Sequence, residues 1–492
     1  MPPFRLTILH TNDLHGRVDA LPRIATLARV ERARAEAEGR CVLLVDGGDS
    51  EDETLLESAA THGAAVMRML RAVGYDLAVV GNAVLARYGP AALAAEAEAA
   101  GFPILAANVR WPDGRLVTGV TDRVIFDLGG FKLGMTGATA DYAGPPWNGL
   151  YRLFGLGVTD PAAEIAMQID RLREAGAEAV LLLSHLGYGD PPYHGDLQLA
   201  EQTPGLAAII GGHSHTTLAT PTVVNGTVIA QAGHYGRFLG RLDLDLDPAT
   251  GRVLAHAGRL IPVTDATPAA PDIAAAIEAI RQDTAAWLDQ PIGALAQSLD
   301  LADDRECGMG DWVADLLRAY WRADVGLIFS GLLRRELPAG PITRRMRLEA
   351  CPTGANPMWA WLSGAQLQAI LDHTLDPAFY TARPKPFRGR PLGILQVSGL
   401  TARIDPAAPP GQRVTAIHVG GAPLDPARRY KVAATDAELD NNALNAAMGL
   451  TAADRTTDVA VILGDLLDAA LHDGSPVHVE AGDRLTSLYV AA

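Results

Sequence analysis

Five short apolar runs, at residues 6–10, 42–45, 77–80, 180–183 and 208–210, each break off into a loop of glycine, aspartate, asparagine and histidine. The loops read Thr11-Asn12-Asp13-Leu14-His15-Gly16, Asp46-Gly47-Gly48-Asp49, Gly81-Asn82, Ser184-His185 and Gly211-Gly212-His213-Ser214-His215. Between the runs lie Ala-rich, Arg/Glu-flanked stretches at 22–37, 62–72, 90–99 and 161–175 with helical composition. Strands alternating with helices prescribe a layered α/β arrangement. In such sheets functional groups collect beyond the carboxyl ends of the strands. Stacked in parallel, these runs are expected to gather Asp13, His15, Asp49, Asn82, His185, His213 and His215 at one sheet edge.

That set of donors has a definite chemistry. Imidazole with carboxylate and amide oxygen suits borderline divalent ions such as Mn, Zn, Fe, Co or Ni, and no cysteine stands near these loops to make a thiolate site. Two cations about 3.5 to 4 Å apart need a bridging ligand, and a carboxylate with two oxygens fits. Asp49 is the expected bridge, with Asp13, His15 and His215 on one ion and Asn82, His185 and His213 on the other. A single Asp-x-His or Gly-Asp would be an ordinary loop or turn; the argument rests on all five together, each at a strand end. His10 lies within the first run and reads as a structural histidine.

The same motifs resemble the calcineurin-like metallophosphoesterase domain of the 5'-nucleotidase and UDP-sugar hydrolase family. The similarity extends into the second half, where Ser330-Gly331-Leu332-Leu333-Arg334, Leu337-Pro338-Ala339-Gly340-Pro341-Ile342-Thr343, Leu362-Ser363-Gly364-Ala365-Gln366-Leu367 and Gln396-Val397-Ser398-Gly399-Leu400 follow family order. The resemblance implies an N-terminal four-layer α/β/β/α sandwich over residues 1–262, a linker helix at 263–290 and an α+β substrate-binding domain at 291–492. It also implies substrate contacts for Arg334, at the family's Gly-Gly-x-Arg position, and for Arg388.

The departures from the family are specific. Its Gly-Asn-His-Glu motif, followed by an Asp, supplies a His/Asp dyad, whereas this chain reads Gly81-Asn82-Ala83-Val84-Leu85-Ala86 and has alanine at both dyad positions. The Gly-Gly-Asp-Gly-aromatic loop that stacks a base is replaced by Thr435-Asp436-Ala437-Glu438-Leu439-Asp440-Asn441-Asn442, and Ile394 stands where an aromatic is usual. These features place the chain with a branch whose Gly-Asn-His-Glu motif is altered. His62, His194 and His234 are the first-domain histidines outside the ligand set, and His62 and His234 are the candidates to replace the lost acid.

Composition narrows the partners. At 492 residues two domains are expected. A formal charge of -16 and a pI near 5.2 exclude a nucleic-acid polymer and leave a small anionic phosphorylated substrate, with metals and arginines supplying positive potential. Met1-Pro2-Pro3-Phe4-Arg5 leads straight into the first strand without a signal-peptide pattern, no run is of membrane-spanning length, and the three cysteines are scattered. The expectation is a cytoplasmic protein without a membrane partner. The expected function is that of a dinuclear-metal hydrolase of phosphate esters, 5'-nucleotidase-like, in which a metal-bridging hydroxide attacks phosphorus. The missing dyad leaves two alternatives: a phosphohydrolase for anhydrides or other good leaving groups, or a catalytically silent metal- and ligand-binding homologue.

Overall fold

A computed structural model describes residues 2–140, 154–189, 195–384, 390–439, 454–458, 461–474, 476–480 and 482–487, apart from the side chain of Ala86. The chain divides into two compact units, Met1–Ala285 and Ala286–Ala492, and the helix Pro271–Leu288 runs across the division.

The first unit is built on two six-stranded sheets. In one, Phe4–Thr11, Cys41–Asp46, Leu77–Val79 and Ile104–Leu105 run parallel, and Phe238–Leu246 and Val253–Pro262 close the other edge antiparallel. In the second, Thr227–Ala230, Ala208–Ile210, Ala179–His185 and Phe131–Thr139 are parallel, flanked by antiparallel Thr222–Val224 and Arg123–Leu128. Successive side chains of a strand face opposite ways. Leu6, Ile8, Leu43, Val45, Leu77 and Val79 of the first sheet therefore meet Leu133, Met135, Leu181 and Leu183 of the second in one buried layer. On the far side of the second sheet, Val180, Leu182 and Ile209 pack on Ile165, Ile169 and Leu172 of the helix Pro161–Glu174. That helix starts where Asp160 accepts the Ala163 N–H, with Pro161 at the first helical position. The helix Leu21–Ala37 buries Ile24, Ala25 and Ala28, and with its neighbours completes a four-layer α/β/β/α sandwich.

Two expectations are corrected. The expected ligands do not line one sheet edge: the loops carrying Asp13, Asp49 and Asn82 leave the first sheet, and those carrying His185, His213 and His215 leave the second. The second sheet includes the hairpin Arg123–Leu128 and Phe131–Thr139, which Gly129, Gly130, Gly134 and Gly137 disguise as loop; at Gly137 a Cβ would lie 2.5 Å from the Leu105 Cβ. The helix expected at 62–72 is instead Leu56–Thr61 followed by Ala64–Val73, broken at His62 and Gly63, whose φ angles are 50° and 92°. Gly63 suits the break twice over, since its left-handed φ favours glycine and a Cβ there would meet the Glu96 carboxyl at 1.9 Å.

In the second unit Leu395–Ser398, Val325–Phe329, Arg429–Thr435, Pro357–Ser363 and Arg455–Thr457 form a mixed five-stranded sheet around buried Phe329. A four-stranded sheet carries Leu400–Ile404 and Val414–Val419. The helix Gly364–Thr374 opens with a capping box between Ser363 and Gln366. Among the described residues no helix is long and apolar enough to cross a membrane.

The helix Leu21–Ala37 is tied to the antiparallel edge by a buried ion cluster. Glu31 accepts from Arg34 at 2.6 Å, Arg241 at 2.8 Å and Arg259 at 2.6 Å, and Arg241 also meets Glu38 and Asp243. Burial works against the Glu31 charge, but the arginines outweigh it and hold the carboxyl below its ordinary range. Such a group stabilises the fold above its unfolded pKa and loses that contribution as pH falls through the folded one. Glu31→Gln is expected to cost about 3 kcal/mol in urea unfolding near neutral pH, because it leaves a buried guanidinium under-paired. The difference from the unsubstituted protein should shrink as pH falls through the carboxylate range.

Candidate metal centre

The first two ligand loops leave neighbouring parallel strands in register, Thr11 beside Asp46, and stay laced together beyond the sheet. Gly47 N–H donates to Thr11 O at 2.7 Å, Asp13 N–H to Gly48 O at 2.8 Å, His15 N–H to Asp49 O at 2.9 Å and Gly16 N–H to Ser50 O at 3.0 Å. This lacing requires unusual backbone. Among the described residues ten non-glycine residues have positive φ, and Asp13, His15, Asp49, His213 and His215 are five of them. Each such residue costs about 1 to 3 kcal/mol and persists only where surrounding contacts impose it. Concentration of that strain on the expected ligands marks the loops as shaped for their side chains.

All seven expected ligands come together. His15 Nε2 lies 3.1 Å from His215 Nε2, 3.7 Å from Asp13 Oδ1 and 3.9 Å from Asp49 Oδ2, and His215 Nε2 lies 3.4 Å from Asp13 Oδ1. On the other side His185 Nε2 is 3.2 Å from Asp49 Oδ2 and 3.1 Å from Asn82 Oδ1, which is 2.6 Å from His213 Nδ1. Asp13, Asp49 and His185 also bring ligand atoms within 4.8 Å of one another, so the two carboxylates stand between the two groups of imidazoles.

The donor set fits a cation. His185 Nδ1 lies 2.7 Å from the Gly47 carbonyl, which only accepts, so this nitrogen carries a proton and the neutral ring turns a lone pair from Nε2 toward two oxygens. Three electron-rich atoms then face one point, a repulsive arrangement unless positive charge sits among them. A proton on Nε2 can supply that charge in place of a metal: burial opposes a charge on His185, yet the Asp49 carboxylate overcomes it and raises the imidazole to about 10. Burial likewise opposes the charge on Asp49, and the His185 charge and hydrogen bond, with His15, hold it below the carboxylate range. His213 is lowered to about 4, first by burial and then by the neighbouring His185 charge, and is neutral as a ligand must be.

Several supporting residues went unmarked in the sequence. Asn12 holds Asp13 through Nδ2 at 2.7 Å while also binding Gly233 O and Ala232 N–H. Asp46 accepts from Thr11, Gly48 and Ser50, and burial lifts its carboxyl to about 7. Asp52 Oδ2 faces His15 Nδ1 at 3.7 Å, and Tyr235 sets its ring edge against both His15 and His215. Carboxylate and hydroxyl-bearing residues in loops are common; only the tertiary register singles these out.

The other expected residues are more scattered. His234 stacks on the His215 ring at 4.8 Å, beside the cluster, whereas His62 stacks on Tyr88 at 5.0 Å. Ala83 donates its N–H to Asp49 Oδ1 at 2.9 Å, so its methyl group stands next to the ligands where the family dyad begins. His10 is buried outside the cluster against Gly240, and its Nδ1 has no partner among the described residues. In the second unit Arg334 lines a cleft of about 870 Å³ with Arg335 and Arg390. Arg388, His194 and the end of the altered loop, Asp440 to Asn442, lie outside the described residues.

The chain is similar to known proteins over almost its full length. A family profile described as calcineurin-like phosphoesterase matches residues 6–217, and another described as 5'-nucleotidase, C-terminal domain matches residues 290–443. An uncharacterised metallophosphoesterase of Bacillus subtilis is 26% identical over 438 residues, covering 88% of this chain and 92% of its own. A 5'-nucleotidase of Diplobatis ommata is 27% identical over 471 residues, covering 85% and 77%. The crystal structure of a 5'-nucleotidase precursor from Thermus thermophilus matches 99% of this chain and 100% of that one, with a TM-score of 0.56 and 25% identity.

The glycines of these loops are as restrictive as the ligands. Gly48 has φ 88°, and a Cβ there would lie 2.7 Å from His185 Nδ1, where the Gly47 carbonyl now orients the ring. Gly48→Ala is expected to weaken divalent-ion binding by roughly ten- to a hundredfold, the usual consequence of losing an outer contact to a metal-facing histidine. Titration with Mn²⁺ or Zn²⁺ followed by calorimetry checks this.

Proposed function

Since the chain belongs to the 5'-nucleotidase family, with a calcineurin-like phosphoesterase domain and a 5'-nucleotidase C-terminal domain, we propose that it is a dinuclear-metal hydrolase of small phosphate esters. The family as a whole identifies a phosphoesterase; the convergence of two imidazole groups on the Asp13 and Asp49 carboxylates is the observation that carries the dinuclear reading. Asp13, His15 and His215 would hold one divalent ion, Asn82, His185 and His213 the other, and Asp49 would bridge them. When bound, such ions supply Lewis-acid charge to the phosphoryl oxygens and make water a competent nucleophile near neutral pH.

The chain's own residues do the rest. Gly47 and Asp52 orient the His185 and His15 rings, and the Ala83 N–H fixes one oxygen of Asp49 so that the other faces the imidazoles. We assign residues 1–262 to the phosphoesterase domain, 263–290 to a linker and 291–492 to a substrate domain, in which Arg334 is the proposed anion contact. Arg388 is kept as a second proposed contact.

The methyl group of Ala83 favours one narrower reading. With no proton donor at that position, a leaving group must depart largely unprotonated, which an aryl oxide or a phosphate does readily and a ribose alkoxide does not. General-acid help is commonly worth about 10²- to 10⁴-fold. Anhydrides and aryl esters are therefore the proposed preferred substrates.

Two outcomes test these proposals. Elemental analysis of the purified, metal-loaded protein should give about two divalent ions per chain, and Asp49→Asn should lose at least one, because the bridge loses charge and an oxygen donor. A single ion, or an unchanged content in the variant, excludes the dinuclear centre. In turnover assays, p-nitrophenyl phosphate should be cleaved faster than AMP, and Ala83→His should raise the AMP rate selectively. Equal rates on both substrates, unmoved by the substitution, would return His234, stacked beside His215, as the acid to examine.

A further inference from the structure

Beside the proposed centre lies a second arrangement that the ligand set does not use. Tyr235 has φ 59°, and its N–H donates to the Asp13 carbonyl at 2.8 Å. Its ring centroid is 5.9 Å from that of His15 and 5.8 Å from that of His215. The next residue, Gly236, packs so closely on Ala20 that a Cβ would come within 2.7 Å of the alanine methyl, which locks the segment 233–237 against 17–20. The result brings two guanidiniums to one ring: Arg17 at 5.3 Å and Arg237 at 5.9 Å from the Tyr235 centroid.

Both arginines are exposed, and neither has a carboxylate partner among the described residues. That is unusual in a chain of formal charge -16, and it is not for want of acids nearby. Asp19, two residues from Arg17, turns instead to Arg281 at 2.7 Å, and Arg23 pairs with Asp265 at 2.9 Å. Each cation is attracted by the quadrupole of the ring they share, and like charges brought to one ring repel each other. An anion between them relieves that repulsion, and a guanidinium can bind phosphate with two parallel hydrogen bonds.

We propose that Arg17 and Arg237, carried on Tyr235, form an anion subsite next to the metal centre that receives a second phosphoryl group of the substrate. Tyr235 touches the metal-facing histidines and both guanidiniums, so on this proposal the arginines meet a group next to the phosphoryl group under attack and not that group itself. The subsite selects phosphoanhydrides over simple monoesters, whether inorganic pyrophosphate or a nucleoside di- or triphosphate. It rests on the phosphohydrolase reading for the position of the scissile group, but it is a statement about binding.

Calorimetry on the metal-loaded full chain separates the two claims, using inorganic phosphate and the non-hydrolysable methylenediphosphonate as probes. The unsubstituted protein should bind the diphosphonate more tightly than phosphate. The double variant Arg17→Gln with Arg237→Gln should lose roughly ten- to a hundredfold in diphosphonate affinity, the scale of one or two charge-assisted contacts, and little in phosphate affinity. An unaltered unfolding midpoint and metal content show that the variant is intact. Equal losses for both probes, no loss for either, or an unsubstituted protein that binds neither would each overturn the subsite. Selective loss in a protein that hydrolyses nothing would leave the subsite standing and overturn the hydrolase reading. Competition of ADP and of pyrophosphate against the diphosphonate then distinguishes nucleotide from inorganic diphosphate.

Discussion

Two carboxylates, Asp13 and Asp49, are buried within reach of each other, and the rest of the first unit is arranged around that cost. Carboxylates out of water are tolerated only when positive charge and hydrogen bonds replace the lost hydration. Here Asn12 and the His213 N–H hold Asp13, while Ala83 N–H and the His185 ring hold Asp49. The carboxylates come from one sheet and most of the imidazoles from the other. The centre therefore exists only when both sheets are assembled with the carboxyl ends of their parallel strands adjacent. The apolar layer of Leu6, Ile8, Leu43, Val45, Leu181 and Leu183 supplies that alignment. It also supplies the free energy that sustains five left-handed non-glycine residues in the loops above it.

The sequence disclosed this centre because its logic is local up to the last step. Each ligand follows a strand by a few residues, and the strand pattern is visible in the apolar runs, so Asp13, Asp49, Asn82 and His213 could be placed without knowing the fold's depth. What stayed hidden depends on contacts between segments far apart in the chain. The hairpin Arg123–Leu128 and Phe131–Thr139 is obscured by its glycines, of which Gly137 is needed because Leu105 and Val79 of the other sheet lie against it and Gly134 because Leu172 of a helix does. The glycine at the break His62–Gly63 lies against Glu96, on a different helix well along the chain. Tyr235 and Asp52 acquire meaning only through His15, to which nothing in their own neighbourhoods points. In the second unit the strands Val325–Phe329, Leu400–Ile404 and Val414–Val419 coincide with continuous or alternating apolar runs, whereas the strand Pro357–Ser363 does not stand out in the sequence. Trp359 and Trp361 explain the latter: alternate bulky residues that face outward hide the buried Met358, Ala360 and Leu362 between them.

Ala83 and the Arg17–Tyr235–Arg237 group bear on one question from opposite sides. A centre that can polarise a phosphoryl group but lacks an acid beside it discriminates by the leaving group, since the barrier to departure follows the basicity of the oxygen set free. A diphosphate leaves as a weak base without a proton, and the negative charge it carries away develops where a guanidinium can stabilise it more in the transition state than in the ground state. On the proposed reading, alanine at the dyad positions and two arginines one ring away with no carboxylate partner among the described residues are not independent peculiarities. The first removes the means of expelling an alkoxide, and the second supplies binding and charge for a leaving group that does not need it. The second depends on the close fit of Gly236 on Ala20, which seats the segment carrying Tyr235 and Arg237 against the short turn of helix that follows Arg17.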